Sequence, residues 1–195
     1  MKTFRRVFFA LAALIAISTL SSCDYNTIVE KEQTVEQALA EVETQYQRRA
    51  DLVPNLVATV KGYAAHEAST LESVVAARAK ATSITISTED LTEENLAKYQ
   101  QAQGELSGAL KSLLAVSEAY PDLKANENFR DLQVQLEGTE NRIATARTRY
   151  TEAVKEYNYI IKRVPTVIYA GWFGFDEKPQ FKAAAGAENA PQVEF

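Results

Sequence analysis

"NENFRDLQVQLEGTENRIATARTRYTEAVKEYNYIIKR", residues 126–163, contains the longest regular pattern in the chain. Residues on one helical face recur in alternating steps of three and four, and all but Thr139 are apolar. The members of this stripe are Phe129, Leu132, Leu136, Thr139, Ile143, Ala146, Tyr150, Ala153, Tyr157, Ile160 and Val164. The spacing predicts a single amphipathic helix of the coiled-coil type. Asn126 is placed to cap its first turn, and Pro165 to end it.

The stripe needs helices of similar length to cover it, because a helix over residues 126–163 would be roughly 57 Å long. Residues 35–78 form a second periodic segment with Thr34 as its cap. Residues 93–119 form a shorter one, and Thr92 marks its start. Glutamines are expected on the outer side of the shorter helix: Gln100, Gln101 and Gln103. Helices joined by short connections pack antiparallel. The sequence therefore predicts an all-α fold, an elongated antiparallel bundle of three to four long helices.

The start of the chain has the pattern of a bacterial lipoprotein signal peptide. Three basic residues precede an apolar run over residues 7–20, which is too short to cross a hydrocarbon core of about 30 Å comfortably. The run ends in an aliphatic residue, two small residues and a cysteine: Leu20, Ser21, Ser22 and Cys23. This ending resembles a lipobox, which implies cleavage before Cys23 and lipid attachment to it. The alternative is a short transmembrane helix with an incidental cysteine.

Lipid on Cys23 would anchor the protein to a membrane of the bacterial cell envelope, with the inner and outer membranes both left open. Loss of residues 1–22, which carry three basic groups and no acidic one, would change the net charge from −5 to about −8. So acidic a chain is unsuited to binding nucleic acid. The expected partners are the membrane itself and another envelope or membrane protein, or a second copy of the chain.

These features divide the chain into four parts. Residues 1–22 are predicted to be the signal peptide, residues 23–33 an anchor or lead segment, residues 34–181 the helical domain, and residues 182–195 a tail. The domain ends in an irregular aromatic segment, which we expect either to cover one end of the bundle or to offer a surface to a partner or a bilayer interface. The candidate contact residues of that surface are Trp172, Phe173 and Phe175.

A polar cluster interrupts the second periodic segment. Pro54 lacks an amide hydrogen, so it should kink the helix or start a new one that Asp51 could cap. Arg49 falls on the apolar stripe, so it should be partly buried and paired with Asp51, with Asn55 or with a glutamate from another helix. The favoured interpretation is a structural ion-pair cluster that fixes the register between helices.

Two chemical functions compete with this structural interpretation. Arg48, Arg49 and Lys61 could together bind an anionic small molecule or a peptide carboxylate. His66 and Glu67 could serve a metal-dependent hydrolase, but "HEAST" has threonine where the HExxH zinc motif has its second histidine. His66 is the only histidine, and no phosphate-binding glycine loop or nucleophile elbow is present in the sequence. We therefore predict no catalytic residue, no metal site and no cofactor.

Several separated blocks resemble the LemA family in the same order: "RRADLVPNLVATVKGYAAHE" (48–67), "AYPDLKANENFRDLQVQLEGTENRIATARTRYTEAVKEYNYIIKRVP" (119–165), "GFDEKPQF" (174–181) and "PQVEF" (191–195). The resemblance implies an all-helical antiparallel bundle held at a membrane by its N-terminus, without an established enzymatic activity. Members are described as membrane-associated proteins, and one group is tied to assembly of the magnetosome organelle. Two features of this chain differ from the family pattern. Many members begin with a transmembrane helix, whereas this chain has a lipobox-like sequence, and members often have Tyr at the position of Ala50.

Overall fold

The computed structural model describes residues 2–88 and 90–182, with side chains from residue 25 onward within those ranges. All regular structure in this part of the chain is helical, which confirms the predicted all-α class. The α-helices are α1 (Lys2–Tyr63), α2 (Ala68–Ser83), α3 (Glu93–Val116), α4 (Pro121–Ala125) and α5 (Glu127–Lys162). Short 3-10 helices cover Ser117–Ala119, Thr166–Ile168 and Ala170–Phe173.

The second periodic segment, residues 35–78, has different ends from those predicted. Thr34 does not cap a helix, because it lies inside α1 and its hydroxyl donates a hydrogen bond to the carbonyl oxygen of Glu30, 2.8 Å away. Within residues 35–78 the predicted place for an interruption was Pro54, but the break lies at residues 64–67, which separate α1 from α2. Gly62, a poor helix former, is the second-last residue of α1. The break allows α2 to turn back and pack against α1.

The two longest helices, α1 and α5, lie side by side and run in opposite directions. As the contacting residue on α1 advances along the chain, its partner on α5 moves back by a similar number of positions. The contacts that show this register are Lys31–Glu156 (2.6 Å), Glu41–Arg149 (2.6 Å), Arg49–Glu140 (2.9 Å) and Tyr63–Asn126 (2.9 Å). The apolar stripe of α5 faces this interface and is buried from Phe129 to Ile160, apart from Leu132, which is half-buried. Val164 is exposed because it lies beyond the helix end.

The helices α2 and α3 form a hairpin that packs beside the second half of α1. Thr92 caps α3 by accepting a hydrogen bond from the amide of Asn95, and Asn126 caps α5 by accepting one from the amide of Phe129. The cap at Asn126 and the helix start at Thr92 are as predicted. The salt bridge between Lys80 and Glu105, 2.6 Å long, joins the two arms of the hairpin.

The buried apolar residues form two clusters, one on either side of Arg49 along α1. The first contains α1 residues from Ile28 to Tyr46, the second half of the α5 stripe and part of the C-terminal segment. The second contains α1 residues from Val53 to Ala64, most of the hairpin interior and the first half of the α5 stripe. The polar residues described below lie between them.

The chain after α5 folds back along the bundle. Gly174 reverses its direction with φ of +78°, in the left-handed region that glycine adopts without strain. Beyond it, Lys178 exchanges hydrogen bonds with Asn158, the Tyr150 hydroxyl donates to the carbonyl oxygen of Pro179, and Lys182 is bonded to Gln100. The segment therefore lies against α5 and then reaches α3.

Candidate functional site

Arg49 lies on α1 between the two apolar clusters and is only 1% exposed. Its Nη1 donates to the hydroxyl of Ser107 and to Glu140 Oε1 at 2.9 Å. Its Nη2 donates to the carbonyl oxygen of Gln103 at 3.0 Å and to Oε1 of the same residue at 2.6 Å. The guanidinium carbon also lies 5.1 Å from the centre of the Tyr46 ring, within the range of a cation–π contact. A single side chain thus joins α1, α3 and α5.

A buried polar layer, which we define as Arg49, Gln103 and Thr139, crosses three helices at one level. Each residue replaces an apolar member of its helix's stripe, and all three are buried. Gln103 was expected on the outer side of α3, and that expectation is wrong. It follows Leu96 and Tyr99 on the buried face, where its Nε2 also donates to the carbonyl oxygen of Ala81. The layer divides the two apolar clusters.

Two tyrosines border this layer on the side of the first cluster. The rings of Tyr46 and Tyr99 meet edge to face, with centres 5.4 Å apart. Burial raises the pKa of both phenols above its ordinary value. Phenols are protonated at neutral pH even at their ordinary pKa, so neither hydroxyl adds a negative charge beside Arg49.

Pro54 lies inside α1 rather than at a helix junction. Because proline has no amide hydrogen, the carbonyl oxygen four residues earlier, on Ala50, lacks its usual helical partner. Arg78 of α2 supplies the missing donor, since its Nε lies 2.9 Å from that oxygen. The proline position is thereby built into the contact between α1 and α2, and the alternative of a new helix starting at Pro54 is excluded.

The other residues predicted around Pro54 do not gather into one site. Arg48, Asp51, Asn55 and Lys61 are exposed, whereas Arg49 points into the bundle. Asp51 accepts a hydrogen bond from Gln47 at 2.8 Å, so it neither pairs with Arg49 nor caps a helix. The partner of Arg49 among the predicted ones is the glutamate from another helix, Glu140.

His66 and Glu67 lie in the connection between α1 and α2. His66 is exposed, and the Glu67 carboxylate accepts a hydrogen bond from the Tyr120 hydroxyl at 3.2 Å. Glu67 therefore ties this connection to the segment before α4. Within residues 25–88 and 90–182, no group of three or more His, Cys, Asp or Glu side chains is arranged to hold a metal ion.

A cleft of about 500 Å³ opens between α3 and α5 beside the buried polar layer. Charged side chains of both signs line it, among them Glu140, Arg147 and Lys182. Lys182 also forms an ion pair with Glu93. The C-terminal segment thus supplies one wall of the cleft.

The predicted aromatic surface is only partly outward-facing. Trp172 and Phe173 are 82% and 60% exposed, but Phe175 is 9% exposed and belongs to the first apolar cluster. Phe175 is therefore an anchor of the segment rather than a contact residue. Tyr25 of α1 contacts both phenylalanines, with ring centres 5.4 Å from Phe173 and 5.6 Å from Phe175.

The lipobox residues Leu20, Ser21, Ser22 and Cys23 lie on α1, but their side chains are outside those described. The tail from residue 183 onward likewise falls outside the described residues. Among the residues that the structure describes, no helix combines the length and the apolar character needed to span a membrane.

Sequence comparisons give one family and two relatives. The LemA family matches residues 38–195. The magnetosome proteins MamQ 1 and MamQ 2 of Paramagnetospirillum magneticum (strain ATCC 700264 / AMB-1) are each 28% identical to the chain over 195 residues. Each alignment covers 87% of this chain and 72% of the relative.

Proposed function

The chain belongs to the LemA family, and on this premise we propose that it is a non-enzymatic helical scaffold tethered by lipid on Cys23 to a membrane of the bacterial cell envelope. In this role an elongated antiparallel bundle would hold partner proteins at a fixed position relative to the membrane. The partners would be other envelope or membrane proteins, or further copies of the chain.

The observation that carries this proposal is the continuity of α1. One helix, Lys2–Tyr63, contains both the position of Cys23 and the core residues from Ile28 to Tyr46 that share a cluster with α5. An anchor at Cys23 would therefore continue into the packed bundle without a flexible linker, which suits a protein that positions its partners. The helix is tied to α5 by ion pairs as well as by apolar contacts, beginning with Lys31–Glu156.

The interior polar groups support a structural role rather than ligand binding. Both terminal nitrogens of Arg49 are engaged by Ser107, Glu140 and Gln103. Arg48 and Lys61 lie on the exposed surface of α1, at a distance along the helix of roughly 20 Å from each other. The three basic groups do not converge on one anion, which supports the structural role over anion binding.

The surroundings of His66 favour the same role. Its neighbour Glu67 is held by Tyr120 in the connection that reverses the chain between α1 and α2. In addition, the two MamQ relatives are named for the magnetosome, a cellular structure, rather than for a reaction. These points favour a scaffold, and we extend them to this chain as part of the proposal.

The experiment that tests the proposal is chemical crosslinking in cells followed by mass spectrometry of the purified chain. The wild type is compared with Cys23→Ala, which removes the lipid attachment point, and with His66→Ala as a control. We expect the wild type and His66→Ala to give the same set of envelope partners, and Cys23→Ala to lose most of them. A partner set that survives Cys23→Ala, or that is lost in His66→Ala, would contradict the proposal.

A further inference from the structure

An uncharged apolar ridge, which we define as residues 164–173, projects from the end of the bundle at which α5 finishes. Its sequence, "VPTVIYAGWF", contains no charged residue. The large apolar side chains of the ridge that are exposed to solvent are Val164, Val167, Ile168, Trp172 and Phe173. So dense a group of exposed apolar side chains on one short segment marks a contact surface.

The ridge is a fixed structure rather than a loose chain. Thr166, Ala170 and Phe175 are buried and hold the segment against the bundle, while the side chains between them face outward. The amide of Val167 donates to the carbonyl oxygen of Arg163, and the amide of Phe175 to that of Ala170. Its two 3-10 helices therefore present the apolar side chains in a set arrangement.

The ridge lies beside the point where α1 enters the bundle from the anchor. The Tyr25 ring is in contact with Phe173, 5.4 Å between ring centres, and Tyr25 follows Cys23 by two residues. Any bilayer that holds lipid on Cys23 must therefore come close to the ridge. Tryptophan and tyrosine are the side chains most enriched where a protein meets the headgroup region of a membrane.

We propose that the apolar ridge inserts into the interfacial region of the bilayer that carries the Cys23 anchor. This inference rests on the proposed function, because the anchor brings the ridge to the lipid. The ridge would then fix the tilt of the bundle at the membrane, which a lipid chain on a single residue does not do. A bilayer fits the ridge better than a protein partner does, because the ridge adjoins the anchor and carries no charge to give a protein contact its specificity.

Trp172 provides a direct probe, since it is the only tryptophan in the chain. The protein purified from membranes of its own cells is reconstituted into vesicles of phosphatidylethanolamine and phosphatidylglycerol. A second set of vesicles contains lipids brominated near the glycerol end of the acyl chains. We expect a blue-shifted Trp172 emission and strong quenching by the brominated lipids. Sedimentation of the vesicles measures anchoring separately.

The matched control moves the tryptophan from the ridge to the first half of α5, as Trp172→Phe combined with Val134→Trp. Val134 is 68% exposed and lies about 40 Å along the helix from the ridge end. We expect the tryptophan at position 134 to remain unquenched in the same vesicles. Ile168→Ser, at an exposed position of the ridge, should reduce Trp172 quenching severalfold without changing the melting temperature.

The outcomes separate the two proposals. A chain that sediments with vesicles but shows the same quenching at positions 172 and 134 overturns the ridge insertion and leaves the anchor standing. A chain that fails to sediment overturns the anchor, and the ridge insertion falls with it.

Discussion

Arg78 donates a hydrogen bond from Nε to the carbonyl oxygen of Ala50, at 2.9 Å, and this oxygen is the one that Pro54 leaves without a helical donor. A side chain of α2 thereby completes the backbone hydrogen bonding of α1. Because Ala50 is buried, water does not replace the missing donor easily. The proline is thus an attachment point between two helices.

Replacing Arg78 with Met should lower the free energy of unfolding by about 1–3 kcal/mol, the cost of leaving a buried carbonyl without a partner. The same replacement made in a Pro54→Ala background should cost less, because the alanine introduced there has a backbone amide that can donate to that carbonyl. Urea denaturation of the four chains of this double-mutant cycle gives the coupling directly. If Arg78→Met lowered the free energy of unfolding equally in both backgrounds, the hydrogen bond would not compensate for the amide that Pro54 lacks.

Replacing Arg49 with Met should destabilise the protein by about 1–3 kcal/mol, because the side-chain oxygen of buried Gln103 loses its donor. The matched control is Arg48→Met, at the neighbouring exposed position, which should change the free energy of unfolding by less than about 0.5 kcal/mol. Denaturation of both variants by urea measures the difference. If Arg49→Met were more stable than the wild type, the buried polar layer would destabilise the fold rather than link the helices.

At neutral pH, the protein with Glu43 should be less stable than a variant with an uncharged side chain at this position. Burial raises the pKa of its carboxyl group, although a hydrogen bond from the Ile86 amide acts in the opposite direction. Ionisation therefore costs more in the folded than in the unfolded state, and this cost is present above the folded pKa and absent below the unfolded one. Glu43→Gln should raise the melting temperature at neutral pH, with the gain disappearing below about pH 4.

Glu156→Gln is the control of opposite sign. The hydrogen bond from Lys31 holds the pKa of Glu156 below its ordinary value. Its contribution is present above the unfolded pKa and is lost as the pH falls through the folded pKa. This variant should therefore have a lower melting temperature at neutral pH and match the wild type in acid. The same direction of change for both variants would contradict the assigned causes.

The features that were predictable from the sequence depend on local spacing. The stripe of α5 has an uninterrupted three-four spacing, and this spacing predicts its burial. The cap at Asn126 and the helix start at Thr92 followed from neighbouring residues alone. The burial of Arg49 was predictable for the same reason, because it replaces an apolar residue on a stripe. Membership of the LemA family was likewise predicted from short blocks of sequence and is confirmed.

The features that were missed depend on packing between distant parts of the chain. Nothing next to Arg78 indicates that its partner is the Ala50 carbonyl. Gln103 looks like one of several surface glutamines, unless one notices that it continues the three-four spacing of Leu96 and Tyr99. The connection between α1 and α2 was missed because the apolar spacing resumes in α2 after the break. Periodicity records which face is buried, but it does not record where the chain turns.

The central claim, a helical bundle tethered by lipid at Cys23, is tested most directly by intact-mass measurement of the protein extracted from membranes of its own cells. We predict a chain that begins at Cys23, lacks residues 1–22 and carries the added mass of acyl groups, all of it on the N-terminal peptide after digestion. A chain that begins at Met1 and has an unmodified Cys23 thiol would contradict the claim.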